Sequence, residues 1–99
     1  GIGKISEIVN QLTILPVVVL NSHTHFDHIG GNAEFRDILA MDTDYTRNNV
    51  AGYTNDLVRE EVSEEAICGS LPAEINPATY YTSSFTVKTF IKDGYKIDL

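Results

Sequence analysis

The chain has 99 residues, 42% of them hydrophobic, with 7 Lys+Arg against 14 Asp+Glu and a formal charge of −7. This is the size of one small domain with enough apolar content for a core, and its acidic balance opposes a nucleic-acid phosphate surface, which needs clustered Lys and Arg. No apolar run approaches the roughly 20 residues that span a bilayer, no basic amphipathic stretch suits a membrane surface, and the one cysteine, Cys68, excludes an intramolecular disulfide.

Gly1-Ile2-Gly3 reads as a loop entering a helix. Over residues 4–13, Ile5, Ile8, Val9 and Leu12 fall at i, i+3, i+4 and i+7 and make one apolar stripe. Pro16 stops that helix and starts a strand over residues 16–20, whose β-branched run predicts burial on both faces. A short helix is expected from Asp27 or His28 to about Arg36, then a short buried strand at Ile38-Leu39-Ala40-Met41. Asp42 reads as the N-cap of a helix over residues 43–51.

A further helix is expected over residues 55–61, and another turn or two from Ser63 to about Gly69. The acidic run Glu60, Glu61, Glu64 and Glu65 reads as a solvated face. Residues 71–84 carry Pro72, Pro77 and several Ser, Thr and Asn residues, so they read as an irregular connection in which Tyr80 and Tyr81 pack on the core. Cys68 reads as a small buried or half-buried residue. Residues 85–91 alternate as a strand, Lys92-Asp93-Gly94 is a turn, and residues 95–99 pair back as a hairpin.

The chemistry is concentrated in Asn21-Ser22-His23-Thr24-His25-Phe26-Asp27-His28-Ile29-Gly30-Gly31, which holds all three histidines of the chain. If residues 22–27 leave the strand extended, a period of two puts His23, His25 and Asp27 on one side and turns Thr24 and Phe26 into packing. His28 follows Asp27 and swings to the same side as the helix begins. Imidazoles with a carboxylate suit zinc or another borderline first-row metal. Neighbouring ligands crowd one another, so two ions fit better than one, His23 and His25 on the first and Asp27 and His28 on the second. Gly30 and Gly31 cost up to about 1 kcal/mol each at a helix start, which calls for a close backbone approach as compensation.

At these residues, the H-x-H-x-D-H motif after a hydrophobic strand and the following Gly-Gly, the chain resembles the metallo-β-lactamase superfamily. The resemblance is strong over residues 17–35 and looser elsewhere. It implies an α/β fold, part of an αβ/βα sandwich, and a dinuclear site with zinc, Fe or Mn also being possible. By resemblance His23 and His25 bind the first metal and Asp27 and His28 the second, with Asp27 also orienting a metal-activated hydroxide that attacks the substrate. The expected activity is a metal-dependent hydrolase of a small-molecule ester, thioester, lactone or amide; the alternatives are a diiron flavoprotein-type oxidoreductase and a non-catalytic metal-binding segment.

Relatives supply further ligands from beyond this loop, whereas no histidine follows His28 here. Residues 1–99 therefore read as a single internal segment of such a domain, expected to bind zinc weakly and to lack efficient hydrolysis alone. A Val-rich strand without neighbours predicts a homo-oligomer. The lone cysteine and the lack of a signal or anchor run suggest a cytoplasmic setting.

Overall fold

A computed structural model describes residues 2–98 of the chain. It is mixed α/β, built on a three-stranded parallel sheet in the order β1-β2-β3, with β1 at Val19–Asn21, β2 at Ile38–Met41 and β3 at Thr89–Ile91. The register pairs Val19 with Ile38, Leu20 with Leu39 and Asn21 with Ala40, then Leu39 with Thr89 and Met41 with Ile91. The central strand keeps the bounds expected from its four apolar residues.

Because side chains alternate along a strand, Val19, Ile38 and Ala40 share one face. On it Ile38 joins Ile29 and Phe85 in a buried cluster, with Val19, Phe35, Val50, Tyr53 and Val87 packed around them. Burying a branched aliphatic side chain such as Ile29 or Ile38 contributes about 1.5–3 kcal/mol. On the opposite face Leu39 and Ile91 are buried, but Val18 and Leu20 are 42% and 57% exposed. The strand expected over residues 16–20 is thus short and lies at an edge, open on one face rather than buried on both. The Cα radius of gyration, 14.5 Å, exceeds the about 13 Å of a well-packed domain of this length, in keeping with a sheet covered unevenly.

Helix α1, Ile5–Leu12, forms where its apolar period predicts, yet none of its residues is buried. It is held at its N-terminus instead. Glu34 accepts hydrogen bonds from Ile5 N (3.3 Å), Ser6 N (2.9 Å) and Ser6 Oγ (2.6 Å), replacing the capping side chain that Lys4 does not supply. Burial pushes the Glu34 carboxyl up, but the bonds from Ser6 and Ile5 hold it below its ordinary value. With its folded pKa depressed, this cap is intact above the ordinary carboxylate range and is lost as pH falls through the depressed value. Gly31 completes the junction: a Cβ there would stand 2.5 Å from Ile5 Cγ2. The close approach, expected of the glycine pair towards the histidine loop or a ligand, is made by Gly31 to the Ile5 side chain of α1 instead.

The helix expected from residue 27 to 36 is broken into α2, Phe26–Ile29, and a 3-10 turn at Asn32–Glu34. Helix α3, Asp44–Asn49, is capped by Thr43 Oγ1, which accepts from Thr46 N at 3.1 Å. Asp42, expected to be that cap, instead pairs with Arg47 (Nη2 to Oδ1 2.7 Å), whose guanidinium lies 4.1 Å over the Phe90 ring. Helix α4, Asn55–Val58, tightens into a 3-10 turn at Arg59–Val62. Residues 71–84 are irregular and the acidic run is exposed, as expected. Cys68 is exposed rather than buried, and Tyr80 is half-buried whereas Tyr81 stays exposed.

The turn at residues 92–94 forms, with Tyr95 N donating to Lys92 O (3.1 Å) and Gly94 at φ +79°, but no strand follows it through residue 98. The expected hairpin is replaced by parallel pairing of β3 with β2. Leu99, its expected last residue, and Gly1 of the opening loop lie outside the described residues. Among the described residues no helix is long and apolar enough to cross a membrane.

Gly52 and Gly94 separate two costs of a side chain. Both sit at φ +79°, but a Cβ at Gly52 would meet Thr82 O at 2.1 Å, whereas one at Gly94 meets open space. Urea unfolding should show Gly94→Ala losing about 1–2 kcal/mol from backbone strain alone. Gly52→Ala should lose a further 1–3 kcal/mol or so from the clash.

Candidate metal centre

All three strands run the same way, and in an open sheet of parallel strands ligand-binding loops gather at the carboxyl ends. The histidine loop leaves the sheet there, straight from Asn21 at the end of β1. Its base is closed by a buried amide pair, Asn32 Nδ2 donating to Asn21 Oδ1 at 2.7 Å. Asparagine is disfavoured within strands, and Asn21 closing an apolar run is a polar side chain that needs a partner where the strand ends.

Extended backbone persists only as far as His25, at φ −66° and ψ 153°, which is the N-cap of α2. From Phe26 the chain is helical, so the period of two that put His23, His25 and Asp27 on one side fails after His25. The four side chains still meet. His25 Nδ1 lies 2.7 Å from Asp27 Oδ1, His28 Nε2 lies 3.4 Å from Asp27 Oδ2, and the His23 and His28 rings meet edge-on with centroids 4.3 Å apart. The structure brings His23 against His28 and sets Asp27 between His25 and His28.

The hydrogen bond from His25 holds the Asp27 carboxyl below the ordinary aspartate value, opposed by desolvation and aided by nearby His28. Ionised Asp27 accepts only, so neutral His25 carries its proton on Nδ1 and presents the lone pair of Nε2. His23 Nδ1 is likewise engaged, 3.1 Å from Ser22 Oγ. The bond at Nδ1 orients the His25 ring, as a hydrogen bond at the other nitrogen orients metal-bound histidines, whereas the Ser22 hydroxyl can donate or accept and so serves either tautomer of His23.

The donor set fits zinc in its chemistry: three nitrogen donors and a carboxylate, each about half exposed where the structure measures it. It does not converge, because among the described residues no three His, Cys, Asp or Glu side chains share a point suited to an ion. The Asp27 oxygens face imidazole nitrogens instead.

Thr24 is fully buried, as expected, but its carbonyl is the more informative group. It accepts from Asn49 Nδ2 (3.1 Å) at the end of α3 and from Tyr53 Oη (3.2 Å). Burial, with the Tyr45 hydroxyl 3.4 Å away, pushes the Tyr53 phenol well above its ordinary value, so it remains a proton donor. The Tyr53 ring also meets the Phe26 ring edge-on, 6.1 Å between centroids. Nothing local in the sequence marks Asn49 or Tyr53 as partners of a residue some 25–29 positions away. Of the four candidate ligands, His28 also lines an apolar cleft of about 520 Å³ between α1 and β1, beside Ile5, Ile8, Val19 and Phe35.

Thr24 Oγ1 has no hydrogen-bond partner although it is buried. Replacing it with isosteric valine should therefore stabilise the chain by about 1 kcal/mol in thermal or urea unfolding; a comparable loss would show that the hydroxyl is satisfied in solution.

No curated protein and no solved structure matches the chain. A family model described as the metallo-beta-lactamase superfamily matches residues 16–84, from the approach to β1 past the histidine loop, α3 and Tyr53. Together with the loop at the carboxyl end of a parallel strand, this match shows that the chain belongs to the metallo-β-lactamase superfamily.

Proposed function

We propose that the protein serves a metal-dependent hydrolase activity in which His23, His25, Asp27 and His28 hold zinc. One observation carries the reading: three imidazoles and a carboxylate touch one another on a loop at the carboxyl end of a parallel strand. Superfamily membership supports hydrolysis of this general kind. It also supports taking the three-stranded sheet as part of an αβ/βα sandwich.

When bound, zinc supplies a Lewis acid for a carbonyl oxygen and an acidified water. The chain's residues do the rest. His23 and His25 would hold one ion, and Asp27 and His28 offer a second pair of donors beside them. Asp27, held ionised, would orient the attacking water through a carboxylate oxygen, and it fixes the His25 tautomer through Nδ1. Phe26, its ring 4.2 Å from that of His25, shields one side of the imidazole from water. The substrate class is a small ester, thioester, lactone or amide, and the apolar cleft walled partly by His28 suits a substrate with an apolar portion.

The non-convergent donors lead to an expectation for the 99 residues themselves. Calorimetric zinc titration should show weak binding, and hydrolysis of a panel of esters, thioesters and lactones should be slow. His23→Ala and Asp27→Asn should each abolish the zinc isotherm and lower any hydrolysis by about 100-fold or more. Zinc binding indifferent to both substitutions would contradict the site, and a tight two-zinc complex would contradict its incompleteness.

A further inference from the structure

We infer that Asn49 and Tyr53 are positioning residues for the metal loop, clamping the Thr24 carbonyl so that His25 is aimed before any ion arrives. The inference rests on the metal reading above and concerns residues outside the ligand motif.

A buried carbonyl needs one hydrogen-bond donor to avoid a desolvation penalty. Thr24 has two, Asn49 Nδ2 at 3.1 Å and Tyr53 Oη at 3.2 Å, which together occupy both of its lone pairs. The second donor exceeds what stability requires, and its effect is directional. The clamped oxygen belongs to the peptide joining Thr24 to His25. Rotation of that peptide plane would alter ψ of Thr24 and φ of His25 together, and would swing the His25 side chain relative to His23. Two donors from different points remove that rotation.

Tyr53 also touches the residue that follows His25, through the edge-on contact of its ring with Phe26. Its contacts thus bracket His25 along the chain. The post itself is rigid. Tyr53 N donates to Thr82 O (3.3 Å) and to Thr82 Oγ1 (2.7 Å), and Thr82 N returns a bond to Tyr53 O (3.0 Å). Gly52 lets the two segments meet, since Thr82 O would lie 2.1 Å from any Cβ there. Asn49 is fixed by its place as the last residue of α3, whose first turn is capped by Thr43.

Shape-conserving variants test this. Tyr53→Phe removes only the hydroxyl, and Asn49→Asp replaces the donor amide with an acceptor of the same outline. Each should weaken zinc affinity roughly 10-fold, and the pair up to about 100-fold, the range found when partners that orient metal ligands are lost. Two readouts accompany the titration, both with folding verified under the same conditions. Amide hydrogen exchange across residues 22–28 of the metal-free chain should quicken in the variants. The imidazole ¹⁵N shifts of His25 in the zinc-loaded chain should move more than those of His28.

Variants that bind zinc like the parent chain overturn the inference while leaving the metal reading intact. So do variants that lose thermal stability without change in zinc affinity, loop exchange or His25 shifts, since these residues would then only be structural. If the parent chain shows no zinc binding that depends on His23 and Asp27, the metal reading fails first and the positioning role falls with it.

Discussion

Where β1 gives way to α2, one buried carbonyl must be satisfied by groups that neither element supplies. Strand pairing ends at Asn21, and helical bonding begins with His28 N reaching back to His25 O at 3.0 Å. Thr24 falls between the two ladders, inside the protein, with exposed histidines on either side. Its oxygen therefore draws side chains from the end of α3 and from the turn beyond it. The site's geometry depends on this requirement, because holding that oxygen also holds the peptide carrying His25. The Asn21–Asn32 bond does the same at the base of the loop, so the candidate ligands stand on a frame fixed from behind while their ring edges face solvent.

The frame explains why several parts of the chain remote from the motif are shaped as they are. Gly52 is required at a positive φ with no room for a side chain, so that Tyr53 can lock to Thr82. Gly31 is required so that Ile5 can close over the end of the loop, and Glu34 holds α1 there through its first backbone amides. α1 gains its position from this polar anchor rather than from burial, which is why its apolar stripe remains open beside the cleft that His28 helps to line.

Legibility in the sequence followed the distance over which each signal acts. The candidate ligands could be read because they are contiguous, and their residue types alone narrow the chemistry. Ile38–Met41 could be read because four apolar residues in a row between polar breaks admit little besides a buried strand. The spacing of α1 gave its helix but not its exposure, since a stripe shows which face is apolar and not whether anything covers it. The turn at Lys92-Asp93-Gly94 formed, yet the hairpin did not. Pairing of β3 with β2, reached across the long crossover from Asp42, is a tertiary choice that overrides the local signal. The Thr24 clamp joins residues far apart in sequence through ordinary polar side chains, and no local pattern announces such a bond. The extended course expected of residues 22–27 holds only to His25 for a related reason: the cap there starts a helix, and Asp27 turns between two imidazoles rather than lining up with His23.

X-ray absorption at the zinc edge of the loaded chain tests the account most directly, because it counts the imidazoles around the ion. The account predicts at least two histidine nitrogens at about 2.0–2.1 Å, with one or more lost in His25→Ala. A spectrum fitted by oxygen ligands alone, or by a sulfur at about 2.3 Å from Cys68, and unchanged in His25→Ala, would contradict it.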